Sequence, residues 1–387
     1  MTEFAERVSR LEPTAVNRIL AEVRELQAGG KQLVSLMRGE PDFPTPTHIV
    51  DAAVEALRAG RTGYPDNLGE VKLRGAVVQK LAGENGLAYD LKSEVLITTG
   101  ATFGIYAALM ALVRDGDQVL LPDPLYDAYQ SPVRLAGGMP VRVPALIRDG
   151  RFELELSKVS GRPRALILNT PWNPCGTVFR ENELRQVAEL VLSRGMWLIS
   201  DEIYEAITYG NARHLSPVAA APGLRERAVL VNSLSKTYSM TGWRVGYCAG
   251  PADVIRAMFL VLQQSSRGPA TFVQDAAAVA LTGSQECVAE MRAEYARRLE
   301  LVTAALDGVA GCSVMRPEGG FFAMLDVRAL GVPANELRKR LLREHGVVVI
   351  HGAAYGACGE GTLRVSFASG GTVLEQGLER LRRGLLA

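Results

Sequence analysis

Five short apolar runs punctuate the middle of the chain, at residues 95–97, 118–121, 165–168, 196–199 and 228–231. Runs of this length bounded by turn residues read as strands. Because no polar position alternates within them, both of their faces are expected to be buried, as in a parallel sheet covered by helices. Segments of helical period lie between them, such as 103–113 and 181–194. This alternation predicts an α/β fold. A sixth run follows at 245–249. The ends of the chain are patterned differently. Residues 12–28 repeat as an amphipathic helix, followed by Gly29-Gly30 and the Pro-rich stretch 39–46. Near the other end, a long helical stretch at 286–306 leads into short strands at 321–325 and 363–367. The expected organisation is a large domain over 48–284 with a mostly parallel sheet. A smaller α+β domain would be built from 1–47 and 285–387.

Three of the runs deliver distinctive polar groups just past their C-terminal ends. The third leads to Asn169-Thr170-Pro171-Trp172-Asn173-Pro174, the fourth to Asp201-Glu202-Ile203-Tyr204, and the fifth to Ser233-Leu234-Ser235-Lys236. Ligands of open α/β sheets bind beyond the carboxyl ends of the strands, so these groups are expected to share one site. Taken singly, Asn173-Pro174 reads as a turn and Asp201 as a helix cap. A lysine at the mouth of a sheet can be desolvated and form an imine with a carbonyl cofactor. The hydroxyls around Lys236 and the guanidinium of Arg244, eight residues later, are donors suited to a phosphate. The first run adds Thr98-Thr99-Gly100-Ala101-Thr102 ahead of a helix. Backbone N–H groups at such a helix start bind anions, and Gly100 allows close approach. No Gly-x-Gly-x-x-Gly after a strand and no Gly-x-x-x-x-Gly-Lys-Ser/Thr loop is present, which argues against a dehydrogenase or a nucleoside triphosphatase.

Composition changes this picture little. A length of 387 residues suits two domains. The 43 basic and 42 acidic side chains leave a formal charge of +1, so no electrostatic case exists for nucleic acid or an anionic membrane. The longest apolar run is too short to span a bilayer. Residues 1–7 lack the basic start and apolar core of a secretory signal. The five cysteines are odd in number and without metal-ligand spacing, which fits reduced thiols. A cytoplasmic protein is expected, with no metal.

From about Val34 to Ser369 the chain resembles the class I aminotransferases, fold-type-I enzymes that use pyridoxal 5′-phosphate. The resemblance implies that Lys236 is the lysine joined to the cofactor and Asp201 the partner of its ring nitrogen. Asn173 and Tyr204 would bond the ring 3′-oxygen, and Tyr126 would stack on the ring. Gly100, Ala101, Thr102, Ser233, Ser235 and Arg244 would hold the phosphate. Arg364 would grip the substrate α-carboxylate, with Gly39 lining the pocket. Tyr64 would reach the phosphate of a neighbouring subunit, making a homodimer with shared active sites. The implied reaction is ping-pong transfer of an amino group between an L-amino acid and a 2-oxo acid. A β-lyase, a cyclising synthase or an oxidative deaminase on the same scaffold is the alternative. A non-catalytic sensor domain is disfavoured by the complete Lys236, Asp201 and Arg364 set.

Several positions depart from the family pattern. Cys175 stands in Asn-Pro-Cys-Gly where threonine is common. Arg38 precedes Gly39, His351 stands before Gly352, and Arg267 follows Ser266, each in a segment implied to border the substrate. These three are expected to set substrate choice. Leu262 stands where some members carry an arginine for a distal carboxylate, so Arg38 or Arg267 is the expected source of any second cationic fork.

Overall fold

The computed structural model describes residues 5–9 and 11–387. Residues 1–4, part of the stretch 1–7 inspected above for a secretory signal, lie outside that range.

Eight strands form one sheet. In spatial order they are Val95–Thr98, Gly246–Ala249, Ala228–Ser233, Trp197–Asp201, Ala165–Asn169, Gln118–Asp123, Met139–Arg148 and Arg151–Leu154. The run from Ala228–Ser233 through Met139–Arg148 is parallel throughout. Side chains along these strands alternate between two apolar cores. Leu120, Leu166, Leu168, Leu198 and Leu230 face one, while Val119, Leu121, Ile167, Ile199 and Val231 face the other. Both faces are therefore covered, which is why no polar alternation was available in the sequence. Helix Gly100–Leu112 packs with Ala252–Gln263 on one face; Val71–Asn85 and Thr271–Thr282 pack on the other.

Gly246–Ala249 runs antiparallel to both of its neighbours. Residues 234–245 connect it to the preceding strand without a helix long enough to cross a face of the sheet, the usual element of a parallel return. The chain instead turns back at once, through a four-residue helix, Leu234–Thr237, and a 3₁₀ turn, Thr241–Trp243. That tight return carries Lys236 and Arg244.

The remaining elements form a second layer. Strands Ser313–Met315, Phe322–Asp326, Thr362–Ser366 and Ile350–His351 make an antiparallel sheet in that order. Its core includes Tyr295, Leu299 and Val302 of helix Glu286–Leu306 together with Phe321, Phe367, Leu374 and Leu381. Val34–Ser35 pairs in parallel with Val347–Val348, so the N-terminal segment is fastened to the C-terminal part of the chain. Among the described residues, no helix is long and apolar enough to cross a membrane. All five cysteines are unpaired.

Candidate active site

The strand ends converge on a cavity of ≈ 970 Å³, whose walls include Lys236, Asp201, Asn173, Tyr204, Tyr126, Ala101, Thr102, Ser233, Ser235, Arg244, Arg364, Arg38 and Gly39. The register explains the convergence, because Asn169 lies opposite Asp201 in adjacent parallel strands. Asn169 ties the floor together. Its amide donates to the Asp201 carbonyl at 3.0 Å, and its Oδ1 accepts from the Asn173 N–H at 2.8 Å. Asn173 Nδ2 in turn lies 3.5 Å from Tyr204 Oη.

Asp201 is 2% exposed and has no ion-pair partner among the described residues. Burial raises its pKa to about 6, against the hydrogen bonds from Tyr129 Oη and the Ile203 N–H, the latter at 3.3 Å. No helix follows Asp201, so the cap reading does not hold; its bond to Ile203 is a local turn contact. Immediately behind it, the buried Glu202 accepts from Ser200 Oγ at 2.7 Å and Ser216 Oγ at 2.9 Å, and meets His214 Nε2 at 2.8 Å.

Lys236 Nζ donates to the Gly39 carbonyl at 2.9 Å. Desolvation in the cavity wall lowers its pKa to about 8, with Glu40 opposing and Arg244 reinforcing the shift. A lysine of this kind is an amine for part of its time near neutral pH. At the other end of the same turn, Arg244 adopts a left-handed backbone, φ 52°. That conformation is costly for a non-glycine residue, and it brings the guanidinium over the start of helix Gly100–Leu112. A Cβ on Gly100 would sit 2.7 Å from Arg244 Nη2. Thr99 stands at the helix N-cap without a side-chain capping bond. Free backbone N–H groups, a guanidinium and the Ser233 and Ser235 hydroxyls thus border one corner of the cavity.

Arg364 is 4% exposed and has no carboxylate partner among the described residues. It donates to Asn173 Oδ1 at 3.3 Å and to the Met37 carbonyl at 3.1 Å, while its Nε has no partner. Its guanidinium carbon lies 4.0 Å from the Phe322 ring centroid and 4.8 Å from that of Tyr355. A buried cation held only by neutral acceptors and ring faces is set up to receive an anion.

The other expected residues are less unified. Arg38 lines the cavity, but its guanidinium lies 3.4 Å from Glu40 Oε1 and 3.3 Å from the Pro41 carbonyl, so part of its fork is occupied. His351 is outside the lining; desolvation, then the Arg338 charge, lowers its pKa to about 4. Tyr64 and Arg267 also lie outside it, together on the surface with the guanidinium 5.6 Å from the ring centroid. Sequence reasoning missed Tyr129, Tyr355, Asp127, Glu40 and the Glu202–His214 pair. Glu202 could have been suspected from its place beside Asp201, whereas nothing in the pattern marks Tyr355.

Residues 31–381 match the family profile described as aminotransferase class I and II. The chain is 36% identical over 390 residues to an aspartate aminotransferase of Geobacillus stearothermophilus, with 98% of each chain covered. It is also 36% identical over 388 residues to aromatic-amino-acid aminotransferase 2 of Thermococcus litoralis, covering 99% of this chain and 98% of that one. The solved aspartate aminotransferase from Rhizobium meliloti superposes with a TM-score of 0.94 at 32% identity, over 100% of this chain and 99% of that one.

Proposed function

Because the chain belongs to the class I and II aminotransferases and is a pyridoxal 5′-phosphate-dependent transaminase, we propose that the cavity residues divide the work as follows. Lys236 carries the cofactor, and Asp201 faces its ring nitrogen. Asn173 and Tyr204 bond the ring 3′-oxygen, and Tyr126 covers a ring face. Ala101, Thr102, Ser233, Ser235 and Arg244 receive the phosphate, with Gly100 leaving room for it. The residues present fit such a group. The observations that support this are a buried carboxylate without an ion-pair partner among the described residues, a lysine partly neutral near pH 8, and an open helix start that a side chain at Gly100 would crowd.

When bound, pyridoxal 5′-phosphate supplies a carbonyl that captures amines and a ring that withdraws electrons from the substrate Cα. The protein supplies the rest. Arg364 fixes the substrate α-carboxylate in bidentate fashion, which aims the Cα–H toward Lys236. Lys236 Nζ takes and returns that proton, a task suited to an amine with a pKa of about 8. Asp201 keeps the ring nitrogen protonated. The reaction is ping-pong, between an L-amino acid and a 2-oxo acid.

The single observation that carries this reading is the buried Arg364, without a carboxylate partner among the described residues, in the same cavity as Lys236 and Asp201. Borohydride reduction followed by peptide mapping tests it: the cofactor adduct is expected on Lys236, and an adduct on any other lysine refutes the assignment.

Three broader readings belong with this one. The large, cofactor-binding domain spans 48–284 and the small domain 1–47 and 285–387, supported by the pairing of Val34–Ser35 with Val347–Val348. The enzyme is a homodimer in which Tyr64 and Arg267 meet the partner's site; the 88% exposure of Tyr64 beside Arg267 supports this. The protein works in the cytoplasm, supported by five unpaired cysteines.

A further inference from the structure

Once the cofactor and the α-carboxylate have been assigned their partners, few polar groups remain in the cavity wall. Lys236, Asp201 and Arg244 go to the cofactor, and Arg364 to the carboxylate. Arg38 and Glu40 face each other, and Glu40 also accepts from Thr241 Oγ1 at 3.0 Å. Two of the groups left over have no side-chain partner among the described residues. Asp127, in the 3₁₀ turn directly after Tyr126, is partly buried in the wall and makes no hydrogen bond or ion pair with the described residues. Tyr355 is 1% exposed, lines the same cavity, and its hydroxyl has no hydrogen-bond partner. A buried hydroxyl without a partner is costly, typically about 1–3 kcal/mol, so a ligand group that reached the Tyr355 hydroxyl would gain by completing it.

The two groups belong to one region. The Asp127 charge reaches both the Tyr126 and the Tyr355 hydroxyls and helps to raise their pKa values, after burial as the main cause. Tyr355 also packs against Arg364, on the substrate side of the cavity. An ionised carboxylate only accepts hydrogen bonds, and a tyrosine hydroxyl can accept as well as donate. What completes this pair must bring donors. A carboxylate-bearing side chain would meet the Asp127 charge, while Glu40 already occupies part of the Arg38 fork.

Resting on the transaminase reading above, we propose that Asp127 and Tyr355 form the side-chain subsite, and that the amino donor is an L-amino acid whose side chain ends in a cationic nitrogen, an ammonium or a guanidinium.

The test uses the holoenzyme. The values of kcat/KM for L-ornithine, L-lysine and L-arginine are compared with those for L-norleucine and L-glutamate. At least one basic amino acid is expected to exceed norleucine by about tenfold or more, the gain of one charge-assisted contact. In Asp127→Asn the ratio of basic to norleucine turnover should fall by about the same factor, and in Tyr355→Phe it should fall in the same direction. Calorimetric binding provides a readout that needs no turnover and a partial check if a variant folds poorly: 5-aminopentanoate should bind the wild-type holoenzyme more tightly than pentanoate. Preference for norleucine or glutamate over every basic amino acid overturns the subsite while leaving the transaminase reading intact. An unchanged ratio in Asp127→Asn, or equal binding of the two acids, overturns it too. A cofactor-loaded protein that converts no amino acid at all defeats the underlying reading instead.

Discussion

Replacing Asp201 with asparagine should make the apoprotein more stable and the enzyme far worse. In the folded chain the carboxyl titrates at about 6 against an ordinary value of 3.8, with burial the largest cause. A rise of that size corresponds to about 3 kcal/mol of cost for holding the ionised group in the fold. The sign follows from which state binds the proton. Below pH 3.8 the carboxyl is neutral in both folded and unfolded chains and costs nothing. As pH rises, the unfolded chain ionises first, so stability falls until the folded group also ionises near pH 6. The full cost then persists at neutral pH. Asparagine keeps an acceptor for Tyr129 and the Ile203 N–H but carries no charge, so it removes most of this term.

Urea unfolding of both apoproteins measures the effect. At pH 7.5, Asp201→Asn is expected to be more stable by about 1–3 kcal/mol, and by pH 5 the advantage should shrink to about half. With the cofactor bound the balance reverses, because the ring-nitrogen cation now offsets the carboxylate and the amide cannot hold that proton in place. Turnover should fall by about 3–5 kcal/mol in barrier, a hundredfold or more, and by more than cofactor affinity falls, since the phosphate contacts survive. An apoprotein destabilised by the substitution at pH 7.5, or near wild-type turnover in the loaded variant, would show that the carboxylate is not held at a cost for the ring nitrogen. Functional sites commonly carry such a cost.

Two further tests address the ends of the substrate cavity. Arg364→Lys keeps the charge but loses the fork that also contacts Asn173 and the Met37 carbonyl, so kcat/KM for every amino donor should fall roughly 10–100-fold, as steady-state kinetics would show. Mixing Lys236→Ala and Tyr64→Phe subunits should restore activity, because a hybrid dimer has one site free of both defects; inactive hybrids, or a fully active monomer in sedimentation, would refute shared sites.

The sequence was most legible where one physical constraint acts alone. A strand covered on both faces must be apolar at every position, and residues 165–168 and 228–231 met that condition. Groups that follow such strands must emerge at one sheet edge, which is why Asn173, Asp201 and Lys236 could be joined from the sequence alone. Strand direction was less legible, because an apolar run reports burial and nothing about orientation. Gly246–Ala249 runs against its neighbours because its connection folds into the Lys236 turn in place of a crossover helix. The arm of Met139–Arg148 and Arg151–Leu154 went unread, although Asp149-Gly150, both at positive φ, is a strong two-residue hairpin signal.

Side-chain specificity was the least legible part, and the reason is physical. Arg38 looked like a free cation because its partner Glu40, two residues away, is a neighbour only in the folded geometry of that loop. Tyr355 looked like any aromatic residue of a core, since what distinguishes it is a place in the cavity wall beside Arg364, a property of its surroundings and not of its residue type. Chemistry common to all donors needs residue types fixed at strand ends, so it survives in the linear pattern. Choice among donors depends on which of the remaining charges are already paired, and pairing exists only once the chain has folded.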